Sequence, residues 1–267
     1  MINGNLLQGL WSAPNPDSYF YGVTVGLVTN NQDPDNMGRV KVKFPWLSEE
    51  HESNWARVLS PMAGPQRGMY FLPEVDDEVL VAFEHGQVEF PYILGSLWNG
   101  KDAPPEKNED GKNNKRVIKS RSGHLITLDD TDGAEKIIIC DKTGKNEIAI
   151  DSSKNSLTIK VEGDFIVEAK GKISLKSNQE LSLESQADGK LKGVNLALEG
   201  SSKAELKGAQ ISIEGSAKTE VKGTQVSING SAQTEVKGTQ VSINGNAQTE
   251  VKGGAMVQIQ GGIVMIN

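Results

Sequence analysis

The sequence predicts an all-β protein, a small closed barrel followed by a shaft in which three copies of the chain share one axis. Three observations carry this expectation. Apolar, β-branched residues alternate with polar ones in short runs, and no i, i+3, i+4 stripe of helical length occurs. All 10 prolines lie between Pro14 and Pro105, and 13 of the 14 aromatics lie between Trp11 and Trp98. Beyond residue 190, glycine recurs every seven or eight residues. Charge divides at the same place. Residues 1–115 carry 9 Lys and Arg against 16 Asp and Glu, whereas residues 116–267 carry 19 of each.

The elements follow in order. Residues 1–17 form an arm ahead of the barrel. Residues 18–100 contain strand-like runs at 19–28, 39–44, 55–59, 78–84 and 92–94. Turn clusters such as NNQDPDNMG and MAGPQRG separate them. Several short strands in so short a span suit a small barrel. Residues 101–115, KDAPPEKNEDGKNNK, have two prolines and almost nothing apolar to bury, so they are expected to be a linker. The shaft occupies 116–267. Its first part reads as irregular strands, HLITL, KIIIC, NEIAI, SLTIK and DFIVEA, and its regular repeats span 190–260.

The repeats need partners. Residues 223–237 and 238–252 differ at one position. Glycines at 193, 200, 208, 215, 223, 230, 238, 245 and 253 alternate in spacings of seven and eight, and are expected to turn corners at positive φ. Burying one or two Val or Ile per unit gains roughly 2–5 kcal/mol. Ordering a unit costs roughly 1–2 kcal/mol for each residue. One chain wound alone falls short; three chains sharing an axis pool their apolar residues. At 7.5 residues per unit, 116–267 predicts a shaft of roughly 80–100 Å, with layers ~4.8 Å apart. Glu220, Lys222, Glu235, Lys237, Glu250 and Lys252 are placed outside, where opposite charges ladder.

Composition excludes several classes. No run of 18 apolar residues exists to form a membrane-crossing helix. MINGNLLQGLWSAPNP lacks a basic start and an apolar core, so no secretion leader is expected. One cysteine, Cys140, excludes an intrachain disulfide, and its place after Ile137-Ile138-Ile139 suggests a core thiol. A net charge of −7 argues against nucleic acid as a partner. His51, His85 and His124 have no metal-ligand spacing. Asp33, Asp35, Asn36 and Gly38 faintly follow a calcium loop without its closing Glu, so a β-turn is expected. Asp129, Asp130 and Asp132 before Gly133 are expected to be turn residues, not a catalytic cluster. No catalytic residue, cofactor or metal ligand is expected.

Longer motifs carry a resemblance. GRVKVKFPW (38–46), WARVLSPMAGPQRGMYFLPEVDDEVLVAFEHG (55–86), PYILGSLWNGKDAPP (91–105) and SRSGHLITLDDTDGAEKIII (120–139) occur in the order found in the VgrG and phage-baseplate central spike family. The chain resembles that family over about residues 18–267. The resemblance implies an OB-fold head followed by an intertwined, trimeric triple-stranded β-helix, at the centre of a contractile injection baseplate. Asp76 departs from the pattern, which favours Gly there. Only 17 residues precede the head, so the hub is expected to be a separate polypeptide, docked by Leu6, Leu7, Leu10 and Trp11. The short gap at 101–115 leaves no room for a fused lysozyme domain.

The C-terminal stretch GGAMVQIQGGIVMIN is apolar. By the same resemblance, Met256, Ile259, Ile263, Val264, Met265 and Ile266 are expected to seat a PAAR-repeat cap protein. The function expected is mechanical: a homotrimeric spike that pierces a target envelope and touches its membrane transiently. Alternatives are a trimeric phage fibre or stalk, and a type VI secretion spike that carries effectors. Seven residues after Gln260 leave little room for a fibre's receptor-binding domain. The absence of a fused hub favours a phage tail or an extracellular injection particle over type VI secretion. Assembly is expected in the bacterial cytoplasm within a phage tail-like particle, with extracellular release as an accompanying alternative.

Overall fold

The computed structural model describes residues 19–46 and 52–266. The chain divides into two units after Leu175. In the first unit the head is built from β1 (Val23–Asn30), β2 (Lys41–Lys43), β3 (Arg57–Val58), β4 (Ala63–Gly64), β5 (Arg67–Gly68), β6 (Glu78–Phe83) and β7 (Pro91–Ser96). Five of these form a sheet in the order β2-β1-β6-β7-β3, in which β7 and β3 are parallel and the other pairs antiparallel. Register shifts at Val28/Asn30 and Leu80/Val81 mark bulges, which bend a sheet. Its two edges then meet: Val40 and Ala56 exchange backbone hydrogen bonds of 3.0 and 2.7 Å, so the barrel closes.

The alternation seen in the sequence places the core. EVLVAF in β6 buries every second residue, and Val79, Val81 and Phe83 join Val28, Val40, Val42, Phe44, Ala56 and Ile93. Several turns of the head take positive φ, those at Asp76 and Gln66 among them. Asp76 adopts φ 75° between β5 and β6, its amide donating to the Val28 carbonyl at 2.9 Å. The left-handed region strains a residue with a Cβ, and Asp is among the few that tolerate it. Gln66 (φ 55°) turns the β4–β5 hairpin.

Residues 115–160 form a second five-stranded sheet: β8 (Lys115–Lys119), β9 (Leu125–Asp129), β10 (Lys136–Cys140), β11 (Glu147–Asp151) and β12 (Ser156–Lys160). The order is β12-β11-β10-β9-β8, every pair antiparallel. This differs from the winding expected of the stretch. Tight hairpins return each strand beside its predecessor, so all ladder hydrogen bonds stay within one chain. An Asp opens three of the hairpins and binds a hydroxyl two residues on: Asp129–Thr131, Asp141–Thr143 and Asp151–Ser153. Hydrogen bonds from Thr143 and Asn146 hold the Asp141 carboxyl down at about 2.

From residue 161 the chain changes character. Bends recur at 162, 170, 178, 186, 194, 201, 209, 216, 224, 231, 239, 246, 254 and 262, with neither helix nor paired strand between. Among the described residues, no backbone–backbone hydrogen bond lies beyond the β11–β12 ladder, and every described residue from 152 to 266 is exposed. The 164–169 segment, expected to be a strand, forms none within its own chain. The seven- or eight-residue spacing of bends thus begins at about 161, after the meander and ahead of the regular repeats expected from 190.

The repeat glycines correct the expectation of positive φ. Positive-φ glycines among the described residues end at Gly144. The glycines are required by contact instead, and they fall into two alternating sets. A Cβ on Gly200, Gly215, Gly230 or Gly245 would lie 2.4–2.7 Å from the carbonyl oxygen three residues on. One on Gly193, Gly208, Gly223 or Gly238 would meet the carbonyl two residues on at 3.1–3.2 Å. The first set opens every eight-residue unit and the second every seven-residue unit. The extra residue lies in the corner, which turns one more carbonyl toward the glycine.

Candidate interaction surfaces

Most groups singled out for chemistry turn out to build turns. Asp33 accepts from the amides of Asp35, Met37 and Arg39 at 3.0–3.2 Å and takes a two-pronged contact from the Arg39 guanidinium at 2.9 and 2.7 Å. Arg39 also reaches Asp35. The guanidinium holds the Asp33 carboxyl far below the usual range and occupies the side a cation would take. Arg39 and Lys41 both lie over the Trp55 ring, 5.9 and 5.5 Å from its centroid. Asp129 is lowered by hydrogen bonds from Thr131, while Asp130 pairs with Arg116. His85 sits in a 3-10 turn at φ 52°, and His124 Nδ1 accepts from the Lys142 amide at 3.2 Å. His51 lies outside the described residues. Among the described residues no cluster of three or more His, Cys, Asp or Glu is placed to hold a metal ion.

The meander sheet has two unlike faces. Register puts Ile118, Ile126, Ile139, Ile148 and Ile159 in one row and Leu128, Ile137, Ile150 and Leu157 in the next, on the same face. These nine side chains are 41–63% exposed. The other face carries Lys136 against Asp151 and Lys160 against Glu147. Cys140 also belongs there, half-exposed between Leu125 and Glu147, which corrects the expectation of a core thiol. An isoleucine run in a strand cannot face one way; Ile138 and Cys140 point opposite to Ile137 and Ile139. The face was legible in the I-x-I and L-x-I spacing of each strand.

A second apolar surface, not anticipated from sequence, lies on the head. Met37, Leu59, Met62, Met69, Tyr70 and Phe71 are 49–75% exposed around the β4–β5 hairpin. Downstream, the expected outer charges pair within each chain. Glu205 lies between Lys203 and Lys207, and Glu220 between Lys222 and Lys218, and each pair of lysines lowers its glutamate. Glu235–Lys237 and Glu250–Lys252 repeat the contact. The six residues expected at the tip, Met256, Ile259, Ile263, Val264, Met265 and Ile266, are 49–87% exposed. Leu6, Leu7, Leu10 and Trp11 lie outside the described residues.

Comparison with known families adds to this geometry. Residues 24–98, from β1 to just past β7, match the family model of the type VI secretion system/phage-baseplate injector OB domain. The head is an injector OB domain, and the chain is VgrG-like. The VgrG3 spike protein of the type VI secretion system of Vibrio cholerae is 32% identical over 135 residues, which are 47% of this chain and 13% of that protein. The VgrG1b spike protein of Pseudomonas aeruginosa is 32% identical over 122 residues, 39% of this chain and 16% of its own length. An actin cross-linking toxin VgrG1 of Vibrio cholerae is 27% identical over 192 residues, 68% of this VgrG-like chain and 16% of the toxin. The chain thus spans less than a fifth of each of these relatives.

Proposed function

We propose that this VgrG-like chain is the central spike of a contractile injection machine and acts as a homotrimer. One observation carries the proposal: residues 161–266 bend every seven or eight residues and make no backbone pairs of their own. Unpaired backbone with regular corners and an exposed aliphatic in each unit is the form a strand takes when its partners are other chains. Burial agrees: every described residue from 152 to 266 is exposed. Three chains winding about one axis would form a triple-stranded β-helix, with Val and Ile inward and the Lys–Glu pairs outward.

The role is mechanical. Closed ladders make the shaft stiff, and a sheath's contraction drives it through the target envelope. The OB head docks on the hub of the baseplate, with Leu6, Leu7, Leu10 and Trp11 as its anchors. Met256, Ile259 and the apolar residues 263–266 seat a PAAR-type cap that sharpens the leading end. Assembly takes place in the bacterial cytoplasm. We assign the chain no catalytic step, since its carboxylate clusters are engaged in hairpin turns. Native mass of the purified chain tests the core of this proposal. A particle of three times 28.8 kDa is expected; a well-folded single chain would overturn it. For the tip, Ile263→Ser with Ile266→Ser is expected to abolish co-purification of a PAAR-type protein, and unchanged recovery would remove that seat.

A further inference from the structure

The repeats raise a problem of register that the meander sheet solves. Residues 223–237 and 238–252 differ at one position. A chain displaced by one such repeat along its neighbours would meet nearly the same side chains. Register is weakly specified wherever successive units look alike. Some other part of the chain must align the three copies.

We propose that the apolar face of the β8–β12 meander is where the three copies first meet, and that this contact fixes the register in which the repeats pair. The inference rests on the three-chain reading of the shaft. Four features point to further copies of this chain as the occupants. The sheet's hydrogen bonds are all intrachain, so it folds before any partner arrives. Its contacts are between sequence neighbours, which form fast. It offers one face of nine exposed Ile and Leu, whereas the other mixes Lys–Asp and Lys–Glu pairs with half-buried Leu125, Ile138 and Ala149. Five strands ~4.8 Å apart and about 3.3 Å per residue give a footprint of roughly 24 by 16 Å, near 400 Å², about where an apolar patch marks an interface.

The fourth feature is continuity. Unpaired backbone follows β12 directly, so copies joined at this face deliver their downstream segments side by side. Unlike the repeats, the face has no second copy along the chain. The face is only two rows deep along its strands, so a slip of one row in that direction would set apolar residues against the polar hairpins. The repeats then zip from the head-proximal end.

The test uses the full chain with Cys140→Ser and Lys237→Cys, spin-labelled at residue 237, so that interchain distances report register. The parent is expected to give one narrow short distance. Ile139→Thr with Ile148→Thr alters the face while keeping β-branched residues at positions exposed in the single chain. It is expected to remain monomeric, or to form trimers in which longer distances join the short one. Val226→Thr with Val241→Thr, in the repeats, is expected to weaken the trimer without adding distances. Trimers of the meander variant with the parent's single distance would overturn the inference and leave the three-chain reading standing. A monomeric, folded parent would instead sink that reading. If the double variant aggregates, the edge variant Leu157→Thr decides on the same readout, where added distances support the inference and the parent's single distance defeats it.

Discussion

The head and the repeats use the same residues to opposite ends. Val28, Val42 and Val81 in the head have no exposure at all, while Val221, Val236 and Val251 in the repeats are 72–75% exposed. Both regions are rich in β-branched residues, and both turn repeatedly. What separates them is where the backbone partners lie. In the head, bulges at Val28/Asn30 and Leu80/Val81 curve a sheet until Val40 and Ala56 close it. In the repeats the backbone of each unit makes no pair within its own chain. The meander stands between them: its hydrogen bonds are closed within one chain, but one face is open. Apolar content alone therefore says little about whether a β segment is finished; the destination of its N–H and C=O groups decides.

The largest effect that would sharpen this contrast is in the head core. Ile93→Ala empties a fully buried site and is expected to cost the head about 2–5 kcal/mol. Thermal unfolding followed at head aromatics should shift down, with the shaft transition unmoved. A common shift of both would show that the two regions unfold as one.

Next comes the alternation of glycines. Gly230→Ala would place a methyl 2.5 Å from the Gln233 carbonyl, whereas Gly223→Ala meets Gln225 at 3.2 Å. The first is expected to destabilise the shaft by about 1–3 kcal/mol per chain and the second by less than about 1 kcal/mol. Equal shifts in shaft melting would refute two kinds of corner. A smaller effect belongs to the head turn at Asp76, held at φ 75°. Asp76→Gly relieves left-handed strain and is expected to stabilise the head by up to about 1 kcal/mol in urea unfolding. Destabilisation would mean that the Asp side chain contributes more than its strain removes.

Much of this was legible in the residues. Period-two alternation located β1, β2, β3, β6 and β7, and the D-x-[ST] hairpins lay in plain view at Asp129, Asp141 and Asp151. The arrangement at 115–160 was harder to see. A strand of five residues reads alike whether its neighbour comes from the same chain or another, and only hairpin geometry separates the two. The glycine sets were hidden for a similar reason: a spacing of seven or eight shows that a corner exists, not which carbonyl approaches it. Cys140 was misplaced because an unbroken apolar run masks the alternation of faces. The exposed head patch at Leu59, Met62 and Phe71 gave no periodic signal at all.

The smallest effect concerns one hairpin of the meander, and it tests whether that sheet is self-sufficient. Asp141 accepts from Thr143 Oγ1 at 2.8 Å and from the Asn146 amide at 3.2 Å, and its pKa falls to about 2. A depressed folded pKa favours the native state above the unfolded value of about 3.9. That contribution fades as pH drops below it and is gone once pH has passed through about 2. Amide exchange at Thr143–Asn146, corrected for intrinsic rates, should therefore lose protection between about pH 4 and pH 2. Asp141→Asn removes the titrating group and should flatten that window, leaving β8–β9 amides unchanged. Asp129 and Asp151 are lowered by their own turns as well, so the β8–β9 hairpin, which holds no carboxylate, is the control; its loosening in the same window would show that the meander's stability is borrowed from contacts across its apolar face, not closed within the chain.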